Sequence, residues 1–254
     1  MSGRVSNKYL SYDEDRAPKV REMFSRLARR YDLVNDVMSF GMHRIWKRQT
    51  VRLALAGAPR NARVLDLCCG SGDLCFLAEE QGAEAVFGAD FTLPMLAVAK
   101  RRRAEGRRRS RPGRMSGRRG PQFIQADALR LPFPDGSFEV LTIGYGLRNV
   151  ADIPAALSEM RRVLAPGGRA VVLDFGKPDR ALPAALYRAY LGTVMPAVGW
   201  IFHRDPQTYA YIPASLERYP AQRGVESLMR SAGFGEVRYE ERLLGTMGIN
   251  IGQV

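Results

Sequence analysis

The stretch RVLDLCCGSGDLCFLAEEQ, Arg63–Gln81, decides the fold. RVLDLCC is a short apolar run of the kind that forms a strand buried on both faces. It ends in Gly70-Ser71-Gly72 and passes at once into the helical pattern DLCFLAEEQ. Glycines let backbone approach a ligand closely, and a helix N-terminus offers free N–H groups to it, so Gly70, Ser71 and Gly72 are candidate ligand contacts. A dinucleotide fingerprint would place a third glycine where this chain has Cys75, which argues against a nicotinamide or flavin cofactor. Asp66, just before the turn, suits a cationic amino group better than a pyrophosphate.

Outward from this turn, apolar runs alternate with amphipathic helical patterns, which implies an α/β fold with a mostly parallel sheet. AVFGAD (85–90), FIQAD (123–127), EVLTIGYG (139–146) and RAVVLDFG (169–176) read as further strands, with LPMLAVAKRRR as a helix between the first two. Asp152 and Pro154 mark a helix start by cap and first-turn chemistry. Ile153, Leu157, Met160 and Leu164 share one face of that helix, and APGG stops it. EVRYEERL and MGINIGQ are expected to form a closing hairpin. Residues 1–61 form a separate, largely helical N-terminal cap in this reading, and 181–220 a second insertion. Both are expected over the carboxyl ends of the strands, where open α/β sheets bind ligands.

Composition bounds the rest. The chain has 254 residues and a formal net charge of +13, and it is 46% hydrophobic, enough for a substantial core. Ten arginines against one acid between Arg101 and Gly120 supply nine of those net charges, so the basicity is local. With Gly and Pro scattered through it, that segment reads as a solvated loop. The start of the chain lacks an apolar signal region. The run LGTVMPAVGWIF (191–202) falls short of the ~20 residues of a bilayer span. Cys68, Cys69 and Cys75 read as reduced, buried thiols, and no metal site is expected.

Asp90 ends the second strand, 24 residues after Asp66, where a carboxylate can accept both ribose hydroxyls. Asp127 ends the third, where it can accept an exocyclic amine of adenine. Acids at the ends of three successive strands line one crevice. This set resembles the class I S-adenosylmethionine-dependent methyltransferases. That resemblance implies a Rossmann-like sheet of seven strands with one antiparallel strand at its edge. It makes 62–254 the methyltransferase domain, with a basic insertion at 101–120 and a substrate lid at 181–220. RRYDLVNDVMSFGMHRIWKR (29–48), YGLRNVADIPAALSEMRRVLAPGGR (145–169) and YAYIPASLERYP (209–220) closely resemble the C-methyltransferases of menaquinone and ubiquinone biosynthesis. The family implies S-adenosylmethionine contacts at Ser71, Asp90, Asp127 and Ala128, with Gly144 at the matching fourth-strand position.

The reaction so implied moves a sulfonium methyl to a ring carbon of a reduced demethylquinone, foremost demethylmenaquinol, with ubiquinone and phylloquinone precursors as alternatives. A non-catalytic partner in a quinone-making complex is a further, weaker alternative. The enzyme must stabilise a phenolate-like oxygen and take up the ring proton. Arg148 and Asn149 are assigned to the oxygen. Asp36 is the candidate base, with Tyr31 and His43 as neighbours, and Tyr211 joins the substrate site. Against these roles, Arg148 can serve a structural salt bridge, His43 a helix cap, and Asp32 and Asp36 helix capping. Trp200 and Phe202 either shelter the isoprenoid tail or form ordinary helix core. The substrate resides in a membrane, so the expected location is cytoplasmic or peripheral on the inner face. Arg101–Arg119 are either a contact to anionic lipid or an inert loop. Nucleic acid is not expected, since no aromatic residue interleaves those arginines. A homodimer is left open.

Overall fold

The computed structural model describes residues 16–27, 31–109, 120–205 and 207–254. Seven strands form one sheet: β1 (Arg63–Leu67), β2 (Ala85–Asp90), β3 (Gln122–Gln125), β4 (Phe138–Gly144), β5 (Leu164–Phe175), β6 (Val237–Arg242) and β7 (Met247–Gln253). Their order is β3-β2-β1-β4-β5-β7-β6. β1 through β5 pair in parallel, while β7 runs antiparallel to both β5 and β6. The reversed strand is thus β7, joined to β6 at one edge by the expected hairpin. The order reverses between β1 and β4, and a crevice opens there at the carboxyl ends of the strands.

Strand parity explains the two-faced core. Leu65, Leu67, Leu141, Ile143 and Val172 pack on one face. Val64, Val140, Val171 and Leu173 pack on the other. The first face is covered by α6 (Ile153–Val163) and α9 (Ala221–Ser231), through Leu157, Met160, Val225 and Met229. Asp152 caps α6 as expected, its Oδ1 accepting the Ala155 amide at 2.9 Å. Such a cap stabilises a helix by about 1 kcal/mol.

The opposite face carries α4 (Asp73–Glu80), α5 (Leu93–Arg109) and α3 (Met42–Leu55). The position of α3 revises the expected boundary at residue 61. Trp46, Val51 and Ala54 are buried in the same cluster as β1 and β5. Arg169 of β5 donates to the carbonyls of Leu53 (3.0 Å) and Ala56 (2.5 Å). Only α1 (Arg16–Leu27) and α2 (Tyr31–Ser39) lie toward the strand ends, with α7 (Ala181–His203) and α8 (Gln207–Arg218) beside α2.

A second revision concerns the basic segment. α5 runs on to Arg109, so the arginines from 101 to 109 are helical rather than loop. Arginine is a good helix former, and here it extends a helix already anchored by the buried Met95, Leu96 and Ala99. Residues 110–119 lie outside the described part.

Candidate active site

The glycine turn is built by backbone that few side chains tolerate. β1 ends at Leu67, and Cys68 (φ 54°), Gly70 (φ 54°) and Gly72 (φ 88°) all take the left-handed conformation. A Cβ on Gly72 would lie 2.9 Å from Cζ of Phe123, so sterics and φ both exclude a side chain there. The resulting cleft is lined by Cys68, Gly70, Asp90, Phe91, Thr92, Met95, Asp127, Ala128, Gly144, Tyr145 and Asn149, with Val20 and Phe24 of α1.

Asp90 is buried at the centre of this cleft. Its Oδ2 accepts the Gly70 amide at 2.9 Å and its Oδ1 the Thr92 amide at 2.8 Å. Burial raises its carboxyl, and the Thr92 and Gly70 amides work against that. Each oxygen keeps acceptor capacity for a diol. Asp127 accepts the Leu129 amide at 2.9 Å and stays exposed at the cleft. Among the described residues, Oδ1 of the half-buried Asn149 has no hydrogen-bond partner, while its Nδ2 donates to Tyr145 O at 3.3 Å. An acid set for a ribose, an exposed acid beside Ala128 and an unanswered amide oxygen fit a polar nucleoside with a cationic amino acid arm. No group of His, Cys, Asp or Glu among the described residues is arranged to hold a metal.

Three of the expected cofactor contacts lie outside this lining. Asp66 has the strand parity of Val64 and points under α4, where its Oδ1 accepts the Thr142 hydroxyl at 2.8 Å. Burial, opposed by hydrogen bonds from Thr142 and Cys75, pushes its carboxyl up to about 7. Ser71 and Gly72 shape the turn from behind. The Ser71 carbonyl accepts from Arg102 at 3.0 Å. That guanidinium also reaches Asp73 at 2.7 Å and lies 5.2 Å from the Phe76 ring centroid. Lys47 Nζ meets the other Asp73 oxygen at 2.6 Å. Burial works to raise the Asp73 carboxyl, but Lys47 and Arg102 outweigh it and bring it down to about 2. α4 therefore begins on a carboxylate clamped by α3 and α5, an arrangement the sequence reading missed.

Tyr145 forms the partition to a second cavity. It follows β4 with φ 60°, and the residue lines both spaces. A non-glycine residue held there stores about 1–3 kcal/mol of strain. Its amide donates to Leu173 O at 2.7 Å and its carbonyl accepts from Arg148 at 2.5 Å.

The second cavity, about 330 Å³, is walled chiefly by Met38, Phe40, Trp46, Phe175, Leu186, Tyr187, Tyr190, Tyr209, Tyr211 and Met247. Arg148 is the charged side chain in this wall. Its Nη1 meets Asp174 Oδ1 at 2.8 Å, its Nη2 donates to the Tyr211 hydroxyl at 3.2 Å, and its Cζ sits 4.7 Å from the Phe175 ring centroid. The second Asp174 oxygen accepts the Arg148 amide at 3.1 Å. Burial raises the phenols of Tyr211 and Tyr187, so both stay protonated at neutral pH. Arg148 and Tyr211 thus meet at the second cavity, whereas Asn149 faces the first cleft.

Asp36 stands apart from both. It does not line the apolar cavity, and Arg44 takes its carboxylate, Nε to Oδ1 at 2.7 Å and Nη2 to Oδ2. The Arg44 hydrogen bonds hold that carboxyl below its usual range. Between Asp36 and the cavity lies His43, whose Nε2 is 3.7 Å from Asp36 Oδ1 and whose Nδ1 is 2.7 Å from Ser39 Oγ. Burial, then the charge of Lys47, lower His43 to about 4, so the imidazole is neutral at pH 7. Tyr31 opens α2, and its side chain lies outside the described part. Trp200 and Phe202 do not line the cavity: Trp200 is exposed, and Phe202 packs against the core.

Comparisons with known proteins identify the family and the fold. Residues 11–253 match the model of the ubiE/COQ5 methyltransferase family. A demethylmenaquinone methyltransferase of Thermus thermophilus is 46% identical over 232 residues, covering 91% of this chain and 99% of its own. The ubiquinone/menaquinone biosynthesis C-methyltransferase UbiE of Azotobacter vinelandii is 41% identical over 244 residues, 94% and 91% of the two chains. Among solved structures, a methyltransferase of Thermotoga maritima, described as a possible histamine N-methyltransferase, superposes with TM-score 0.60 at 18% identity, over 91% of this chain and 98% of its own. Magnesium protoporphyrin IX methyltransferase of Synechocystis, with bound S-adenosylhomocysteine, gives 0.54 at 16% identity, over 83% of each chain. Those two share the fold. On the match along nearly its whole length, the chain belongs to the ubiE/COQ5 methyltransferase family and is an S-adenosylmethionine-dependent methyltransferase.

Proposed function

We propose that the protein methylates a ring carbon of demethylmenaquinol, and that the cavity walled by Tyr187, Tyr190 and Tyr211 receives the quinol ring. The observation that carries this reading is Arg148, the charged side chain of a largely aromatic and aliphatic wall, paired with Asp174 and beside the cleft that suits the cofactor. The name of the Thermus thermophilus relative supports the naphthoquinol over a benzoquinol.

S-adenosylmethionine supplies a methyl group already activated on sulfonium. A new carbon–carbon bond forms at the ring, the sulfur–methyl bond breaks, and the ring proton leaves. Asp90 would hold the ribose hydroxyls and Asp127 with Ala128 the adenine, while Gly70 and Gly144 let backbone approach. Asn149 Oδ1 would accept from the ammonium group. Arg148 stays protonated, so its part is to stabilise the quinol oxygen as that oxygen gains negative charge. Asp174 and Tyr211 hold the guanidinium in place. Asp36 is held by Arg44 outside the cavity wall and does not take the ring proton; the neutral imidazole of His43, in the wall, takes it up and passes it on to solvent.

The test is methyl transfer from labelled S-adenosylmethionine to a reduced, short-tailed demethylnaphthoquinone, with the corresponding benzoquinol in parallel. Transfer to the naphthoquinol is expected, and Arg148→Met should lower kcat by about 10²–10³-fold with the cofactor Kd unchanged. Preference for the benzoquinol would move the substrate to the ubiquinone series, and transfer to neither would end the reading.

A further inference from the structure

Helix α7 carries an apolar stripe on its outer side. Leu182, Leu186, Ala189, Thr193, Ala197 and Trp200 recur at helical spacing and are exposed, opposite the buried Leu191, Met195 and Val198. Between Ala181 and His203 the helix has no acid, and Arg180 and Arg204 bracket it. Its 23 residues cover about 34 Å at the α-helical rise. No helix among the described residues is long and apolar enough to cross a membrane.

A second set of residues continues this surface around the mouth of the quinol cavity. Phe40 (83% exposed), Leu243 and Leu244 (71% exposed) line that cavity and also project outward. All three hold left-handed φ, 50°, 47° and 57°. Left-handed backbone is unfavourable for Phe and Leu, so apolar side chains are displayed here at a cost of about 1–3 kcal/mol each. Leu186 belongs to both sets, and Tyr190 of α7 donates to Met38 O of α2, which ties them together.

We propose that this face, the outer stripe of α7 with Phe40, Leu243 and Leu244 at the cavity mouth, docks on an anionic lipid surface, so that the cavity opens directly into the hydrocarbon boundary. The proposal rests on the reading of the cavity as the site of a membrane-resident quinol. Lipid fits better than a second copy of the chain because Phe40, Leu186, Leu243 and Leu244 are exposed and also line the cavity. A protein partner there would close it, whereas lipid leaves a tail free to pass. The ends of α7 match a headgroup level: the Arg204 guanidinium lies 6.0 Å from the Trp200 ring centroid, and Arg188 flanks the stripe. Such a helix lies in the interface plane, with its apolar side sunk among acyl chains and cations at the headgroups.

The test is flotation of the full chain with vesicles of phosphatidylcholine and phosphatidylglycerol, an assay that needs no quinol. Leu182→Glu/Trp200→Glu/Ile201→Glu alters exposed residues outside the cavity wall. It should lower vesicle binding by at least about tenfold and abolish turnover of a long-tailed quinol in vesicles, with short-tail turnover in solution and Tm unchanged. If that variant misfolds, Phe40→Asn/Leu244→Asn decides, since Asn relieves left-handed strain: Tm should hold or rise while vesicle binding falls. Wild-type binding retained by the triple variant would overturn the proposal. So would loss of binding on deleting residues 110–119 alone, which would assign the contact to the arginines. A wild-type dimer that the triple variant dissolves, with flotation unchanged, would overturn it in favour of a second copy. Vesicle binding without transfer to any quinol in solution would remove the substrate reading and leave the docking face standing.

Discussion

Replacing Asp174 by asparagine tests whether the Arg148–Asp174 pair is chemistry or scaffold. Both side chains are sealed from solvent, 2% and 1% exposed. The Asp174 carboxylate accepts three hydrogen bonds, from Arg148 Nη1 (2.8 Å), Arg148 N (3.1 Å) and Phe175 N (2.9 Å). Asparagine keeps the shape but leaves the guanidinium charge buried and unanswered, and one of its two polar atoms becomes a donor facing donors. Breaking such a pair from one side costs about 3–5 kcal/mol. At about 2–4 °C per kcal/mol for a domain of this size, Tm should fall by roughly 6–20 °C. The double variant Arg148→Met/Asp174→Leu removes both charges and refills the space with apolar atoms, which is often neutral or stabilising. It should therefore recover part of the Tm, short of the wild type because the Arg148 and Phe175 amides lose their acceptor. Activity should not follow: kcat on the short-tailed quinol should stay about 10²–10³-fold down, because nothing remains to meet the developing oxygen charge. Calorimetry and the labelled-methyl assay on wild type, Arg148→Met, Asp174→Leu and the double variant complete the cycle. If the double variant regained both stability and turnover, Arg148 would be a structural ion pair and the catalytic argument would fall. A drop of less than about 1 kcal/mol in Asp174→Asn would contradict the burial on which the argument stands.

Other parts of the site make sharper, smaller tests. Gly72→Ala should abolish cofactor binding in calorimetry, because a Cβ at φ 88° also meets Phe123 at 2.9 Å; unchanged affinity would show that the turn is soft. Arg102→Ala should destabilise the protein by about 1 kcal/mol and weaken cofactor binding through the Ser71–Asp73 turn, whereas Arg101→Ala, with an exposed partner in Glu105, should stay within about 0.5 kcal/mol. Equal effects would mean that α5 senses only total charge. The Asp66 carboxyl is raised to about 7 when folded, so the native state binds more protons than the unfolded chain between an ordinary carboxyl pKa and that value. Its contribution to stability is complete at low pH and is lost as pH rises through about 7, on the order of a few kcal/mol. Urea unfolding should show Asp66→Asn gaining on the wild type as pH rises from 4 to 7, and a constant difference would place the proton elsewhere. Asp73 has the opposite sign: its folded carboxyl is lowered to about 2, so its stabilisation is lost only in acid, as pH falls through that value.

The sheet was legible because its signals are local. A fully buried strand must be apolar on both faces, and RVLDL, AVFGAD and RAVVLDF declare that in five to seven residues each, with a capping acid to begin or glycine to end the helices between them. The placement of α3 was not legible. Its buried residues Trp46, Lys47, Thr50, Val51 and Ala54 form a helical stripe that serves equally for a lid or a sheet-covering layer. What decides between them is Arg169, more than a hundred positions away, taking the carbonyls at the end of α3. The arginine segment misled for a different reason. Composition does not report backbone state, since a helix begun by Met95, Leu96 and Ala99 continues through good helix formers, nor that Arg102 turns back onto Ser71 and Asp73.

Within the site, strand parity explains why Asp66 lies outside the cleft that Asp90 lines. Asp66 and Asp90 both sit at strand ends close to the turn, and as residue types they are interchangeable. Yet Asp66 is still inside β1, two residues from Val64, so its side chain must take the Val64 face and lie beneath α4. Asp90 is the last residue of its strand, paired in register with Gln125 of β3, and its carboxylate turns onto the Gly70 and Thr92 amides at the cleft. Counting in twos from Val64 would have reassigned Asp66 without coordinates. No such count reaches Asp174: its acid lies on the Val172 face and acquires meaning only because the turn after β4 swings Arg148 across to it. That turn depends on Tyr145 at φ 60°, a conformation the sequence YGLRN does not announce. A tyrosine held left-handed where glycine would be easier implies that the ring is needed there. Its position on both cavities supplies the reason, since it is the surface against which a flat ring and a methyl donor would have to be aligned.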